Sequence, residues 1–167
     1  MPVQPIRHFP DPILRKPCEP IRDFDARLEA LVKDLIATMK RQPHGIGIAA
    51  PQIGVAKQVA IVDVSARIPQ AQRLILVNPK IVALSDEKAS REGCMSLPDY
   101  TANLKRYDSV HLKWQNEKGE SQERIFGGIE GICIQHEVDH LNGVLFLDRV
   151  TSLKRDMIPR PQSSGRF

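Results

Sequence analysis

The spacing of apolar residues changes character several times along the chain. In the first stretch, Leu28, Leu31, Val32, Leu35, Ile36 and Met39 recur at spacings of three and four. That period puts them on one face of a helix, with Asp25 placed to cap its start. Before it, Pro5, Pro10, Pro12, Pro17 and Pro20 predict an extended, turn-rich lead-in. After it, residues 45–52 (Gly-Ile-Gly-Ile-Ala-Ala-Pro-Gln) read as a loop of small residues. Strand-like runs follow at 58–64 and at 74–84, the second broken at Pro79. A third, at 109–115, alternates Val110, Leu112 and Trp114 with polar residues. Asn116-Glu117-Lys118-Gly119 predicts a hairpin turn, with 122–126 returning. Gly127 and Gly128 then break the chain before a second helix over 129–141, which Asn142-Gly143 can end. Strands between two helices, without a regular βαβ alternation, predict an α+β fold.

A length of 167 residues suggests one domain, large enough for a real core. The expected division is a catalytic domain over 1–158 and a flexible C-terminal tail over 159–167. With 41% apolar and 26% charged residues, the composition excludes a disordered or collagen-like chain. The net charge of +4 is spread without a long basic run, so no nucleic-acid module stands out and no sequence-specific nucleic-acid partner is expected. The N-terminus lacks the layout of a signal peptide, and no apolar run is long enough for a membrane span. Cys18, Cys94 and Cys133 are odd in number and form no CxxC pair, which fits a reducing cytoplasm better than a disulfide framework.

The second helix changes the picture. His136-Glu137-Val138-Asp139-His140 fits HExxH. On a helix the two histidines are only about 40° apart, so two imidazoles can grip one metal ion while Glu137 reaches a neighbouring water. Ile134, Val138 and Leu141 lie on the opposite face, so this helix should be internal, where its polar groups need partners.

A catalytic ion needs a third protein ligand. In one class of HExxH zinc peptidases it is a downstream histidine, in HExxHxxGxxH. Gly143 matches the glycine, but Phe146 stands at the last position. In another class it is a downstream glutamate, and none follows Glu137. The ligand is therefore expected upstream, with Cys18, Cys94 and Cys133 as soft candidates. Cys18 looks structural. Cys133, one turn before His136, stays open on spacing alone.

Residues 45–52, Glu92-Gly93-Cys94-Met95-Ser96 and Gln135-His136-Glu137-Val138-Asp139-His140 occur in the order of three motifs, GΦGΦAAxQ, EGCΦS and QHExDH, where Φ is apolar. In this the chain resembles the peptide deformylases over nearly its whole length. The resemblance implies mostly antiparallel sheets packed around a central helix carrying HExxH, with the amphipathic helix near the N-terminus. It implies Cys94, His136 and His140 as ligands of one divalent ion, with Fe²⁺ favoured as the native metal and Zn²⁺ or Ni²⁺ as alternative occupants. A water activated by the ion would attack the formyl group of an N-formylmethionyl peptide, and Glu137 would serve as general acid and base. Gln52 and the Met95 N–H would hold the oxyanion. Gly45, Ile46, Gly47, Glu92, Gly93, Ile129, Ile132 and Cys133 would contact substrate, Glu92 and Gly93 by shaping the loop of the second motif. Arg106 would pair with Asp139 behind the site.

Two departures carry expectations of their own. Met95 replaces the usual leucine. Thr101 stands where many members carry a basic residue, which suggests that main-chain contacts hold the substrate instead. Residues 151–158 are expected to form about two helical turns before Pro159 and Pro161 stop them. With so short a tail the protein is expected to act as a monomer, with weak or absent ribosome contact. The alternatives are an HExxH zinc peptidase, a binding module with a structural zinc, and a deformylase-like protein of reduced activity.

Overall fold

The computed structural model describes residues 2–161. Helix α1 (Ala26–Arg41) begins at Asp25, whose carboxylate accepts hydrogen bonds from the Arg27 and Leu28 amides. Its stripe of Leu28, Val32, Leu35 and Met39 is buried. The stripe packs on Ile48, Val59, Ile61 and Val77. Each fully buried leucine of this kind contributes about 1.5–3 kcal/mol.

Six strands follow: β1 (Gly47–Ala49), β2 (Val59–Val62), β3 (Leu74–Cys94), β4 (Leu97–Gln115), β5 (Ser121–Phe126) and β6 (Met157–Pro159). They form one antiparallel sheet in the order β1-β2-β3-β4-β5, with β6 added alongside β4. All four residues of β2 are buried. Val59 and Ile61 face the α1 core, whereas Ala60 and Val62 face the core under helix α2 (Gly128–Leu141). A strand covered on both faces reads as a continuous apolar run, which is why Val-Ala-Ile-Val shows no alternation. On the second face, Ile134, Val138 and Leu141 of α2 pack with Val62, Leu76, Val110 and Leu112.

Several expectations need correction. The predicted runs at 74–84 and 109–115 are the inner parts of much longer strands of 21 and 19 residues. Their outer halves form a two-stranded ribbon whose β3 arm is exposed from Val82 through Ala89. Backbone pairing with β4, from Ser85↔Ser109 to Gly93↔Thr101, holds that arm rather than burial. It therefore carries no apolar alternation to read. Pro79 does not end the strand. It lies in a register shift beside Asn78, whose φ is +50° and whose side chain ties the kink to the Ile21 backbone.

The loop at 45–52 contains β1, and its glycines are there for close approach. A Cβ on Gly47 would come within 2.5 Å of Glu137 Oε2 and 2.7 Å of Cys133 Sγ. Glycine is what lets β1 lie against α2.

Near the C-terminus, 151–158 is not a two-turn helix. Helix α3 spans only Leu153–Asp156, and β6 then pairs Thr101↔Ile158 and Tyr100↔Pro159. An edge of β4 is free there to take a strand, and proline is tolerated at that outer position. The expected start of a flexible tail at 159 thus falls inside β6, and residues 162–167 lie outside the described residues.

Candidate active site

Helix α2 runs through the interior, as its two apolar faces require. Cys133, Ile134, Gln135, Glu137, Val138, Asp139, His140 and Leu141 are all buried along it. Gln135 fastens the helix to β4. Its amide donates to Tyr107 O at 2.7 Å and accepts from Tyr107 N at 3.1 Å. This fixes the rotation of α2 about its axis and therefore the direction of the histidines.

The tip of the β3–β4 hairpin meets that face. Cys94 ends β3 and pairs with Leu97, so the turn is Met95-Ser96. Glu92 and Gly93 accordingly belong to the strand, which corrects their expected place in a loop. Cys94 Sγ lies 3.3 Å from His140 Nε2. Together with His136, the ligand atoms fall within 4.8 Å of one another. Tetrahedral ligands of a first-row ion stand about 3.5 Å apart, so one thiolate and two imidazoles at this spacing fit a single divalent ion. Two buried atoms beside the cluster, Glu137 Oε1 and His140 Nδ1, have no hydrogen-bond partner among the described residues. Cys133 is not part of the cluster. Its thiol reaches toward Ile46 O at 3.5 Å, and burial keeps its pKa well above the usual range. Cys18 is buried elsewhere, beside Lys16 O.

Behind the histidines runs a chain of buried charges. His136 Nδ1 is 2.9 Å from Glu92 Oε1, leaving Nε2 for an ion. Glu92 also accepts from Arg106 Nε at 2.8 Å and Nη2 at 2.9 Å. Arg106 Nη1 meets Asp139 Oδ2 at 2.7 Å, so the expected pair is formed. Arg149 closes the far end, with Nη2 2.7 Å from Asp139 Oδ1. Burial pushes the Glu92 carboxyl up, but the hydrogen bonds from His136 and Arg106 outweigh it and hold the pKa down to about 2. For Glu137 the balance is reversed. Burial dominates, opposed more weakly by His136 and Arg106, and raises its pKa to about 7. A carboxyl near neutrality can both accept and return a proton.

Gln52 completes the wall. Its Oε1 accepts from Ala49 N at 3.0 Å, which turns Nε2 toward Ser96 Oγ at 3.1 Å and Cys94 Sγ at 3.7 Å. Met95 leans against Gly45, its Cε within 3.1 Å of where a Cβ there would sit. A cavity of about 560 Å³ opens over this arrangement. Every residue expected to contact substrate lines it, along with Gln52, Met95, His136 and Glu137. Arg106 and Asp139 sit behind it. The partnership of Glu92 with His136 was missed from sequence, as were the roles of Gln135, Ser96, Arg149 and Arg160. Of these, Ser96 and Gln135 had a signal, their places in the second and third motifs.

The fold and site define a metal-dependent hydrolase: an internal HExxH helix, a cysteine brought up by a hairpin, and a buried carboxyl facing a cavity. The polypeptide deformylase family matches residues 3–156. The peptide deformylase of Rhizobium meliloti (strain 1021) is 41% identical over 161 residues, covering 96% of this chain and 92% of the relative. A crystal structure of a peptide deformylase from Legionella pneumophila superposes with a TM-score of 0.85 at 36% identity, covering 92% of this chain and 89% of that one. The Met-Ala-Ser-bound class I type b peptide deformylase from Acinetobacter baumannii gives a TM-score of 0.83 at 34% identity, covering 89% and 99%. The chain belongs to the peptide deformylase family. Its activity is the hydrolytic removal of the N-formyl group from newly made polypeptides.

Proposed function

We propose that Cys94, His136 and His140 hold the catalytic ion, Fe²⁺ in the native enzyme, and that Glu137 carries the proton during hydrolysis of N-formylmethionyl peptides. The observation that supports this best is the meeting of one thiol and two imidazoles within 4.8 Å beside a buried carboxyl whose pKa is near 7. A divalent ion bound there supplies Lewis-acid activation of water and of the formyl carbonyl.

The protein groups do the rest. Glu137 accepts a proton from the attacking water and returns it to the departing amine, so formate and a free α-amino group result. The Gln52 amide, oriented by Ala49 N, donates to the oxygen on which negative charge develops, and the Met95 N–H is the second donor. Glu92 keeps the His136 ring in one orientation, backed by Arg106 and Asp139. Ile46, Ile129, Ile132 and Cys133 offer an apolar wall to an unbranched thioether side chain. The Acinetobacter relative holds Met-Ala-Ser, the product such a substrate would leave.

The chain is read as a cytoplasmic protein. Its three cysteines are free, and among the described residues no helix is long and apolar enough to cross a membrane. Formate release from formyl-Met-Ala-Ser, with metal analysis of the same sample and acetyl-Met-Ala-Ser as control, tests the reading. A folded, iron-loaded chain that releases no formate would sink it.

A further inference from the structure

Arg160 reaches the cavity from a segment outside the three motifs. Strand β6 brings it there by pairing Thr101↔Ile158 and Tyr100↔Pro159, and the Arg160 amide then bonds to Asp99 O at 2.8 Å. From this anchor the half-buried side chain lines the cavity, and its guanidinium lies against Gly93, where a Cβ would overlap it. Thr101 Cγ2 is also close, 3.8 Å from the same point. The Nε of Arg160 is buried without a hydrogen-bond partner among the described residues. A guanidinium has five donors in a planar fork, and this one is not saturated by the protein. Gly93 immediately precedes Cys94, so the fork stands at the lip of the cavity beside the reacting end.

We propose that Arg160 is a substrate-positioning residue that donates hydrogen bonds to main-chain carbonyl oxygens of the peptide beyond the formyl-methionine. Gly93 is part of the arrangement, because only a residue without a side chain leaves the guanidinium its place. The inference rests on the deformylase reading for the identity of the peptide. A formyl-methionine derivative ending in a methylamide fills the thioether pocket but lacks the later carbonyls, so it should not use Arg160 fully.

The test compares Arg160→Ala and Arg160→Lys with the parent on formyl-Met-Ala-Ser and on formyl-methionine methylamide. Binding of the product Met-Ala-Ser is measured alongside by calorimetry. For Arg160→Ala, kcat/KM on the tripeptide should fall about tenfold or more, mainly through KM, with product binding weakened similarly. On the methylamide the change should stay within about threefold, because a charge-assisted bond has no partner there. Arg160→Lys should recover only part of the loss, since an ammonium lacks the fork. Equal losses on both substrates, or no loss on the tripeptide, would overturn the proposal. A parent inactive on both would strike the deformylase reading instead, and Met-Ala-Ser binding would still decide the role of Arg160.

Discussion

Helices α1 and α2 have similar lengths, 16 and 14 residues, and opposite surroundings. α1 lays one apolar stripe on the sheet and turns Glu29 and Lys33 to solvent, where they pair at 2.9 Å. α2 is enclosed, so Gln135, Glu137, Asp139 and His140 are all buried polar groups. A buried polar group without a partner costs about 1–3 kcal/mol, and more if charged. α2 meets that demand in most places: Tyr107 satisfies Gln135, and Arg106 and Arg149 satisfy Asp139. Among the described residues the demand goes unmet at Glu137 Oε1 and His140 Nδ1, and also at Glu130 Oε2 in the first turn. The comparison teaches that a helix can be packed for stability or for chemistry. The chemical one is recognised where its polar groups run out of protein partners.

The largest effect should come from the unpartnered carboxyl. Glu137→Gln keeps the size of the side chain and removes its ability to take a proton. The rate of formate release should fall by about 10²–10⁴-fold or more, with metal content unchanged. Stability should not drop, because a carboxyl raised to about 7 by burial is not stabilising the fold. Activity within tenfold of the parent would break the distinction drawn between α2's partnered and unpartnered groups.

The two thiols facing α2's reactive side sharpen it next. Cys94→Ser should lose most metal affinity and, with it, the stabilisation that bound metal gives, seen as a lower and metal-independent Tm. Cys133→Ser should keep its metal, because its sulfur is engaged near Ile46 O and lies outside the ligand cluster. Metal titration followed by thermal melts separates the two, and the reverse order would make Cys133 the ligand.

The partnered end of α2 predicts a loss of stability rather than of chemistry. Arg106→Ala removes the buried cation from both Glu92 and Asp139, whose side chains are only 7% and 10% exposed. Breaking a buried pair in this way costs about 3–5 kcal/mol. Arg149 bonds the same Asp139 from a side chain that is 48% exposed, so solvent screens it and Arg149→Ala should cost about 1 kcal/mol or less. Urea unfolding of both variants measures the gap. Equal costs would mean that Asp139, not the buried arginine, organises the network.

How much of this was legible beforehand follows the same division. α1 could be read almost to its ends, because one-sided burial writes a period of three and four and Asp25 marks the start. HExxH could be read because helical spacing alone puts His136 and His140 on one face. The ribbon from Ser85 to Arg91 could not, because strands held by backbone pairing outside the core need no apolar pattern. Glu92 as the partner of His136 could not either, since the two are 44 positions apart and meet only through the fold. The same holds for Arg160, which a three-residue strand carries to the cavity.

The smallest effect belongs to the outer face of α1. Lys33 and Glu29 form an i,i+4 pair, but their side chains are 52% and 67% exposed. In water their attraction is weak and screened, and holding two long side chains together costs entropy. Lys33→Ala also replaces one good helix former with another. Tm should therefore move by no more than about 2 °C, and kcat/KM on formyl-Met-Ala-Ser should not change. The near-null result is informative because it is demanded of the same kind of opposite-charge contact that Arg106 makes on α2. A shift of several degrees, or any loss of catalytic efficiency, would mean that α1's outer face has a partner, and the contrast between the two helices would no longer be one of burial.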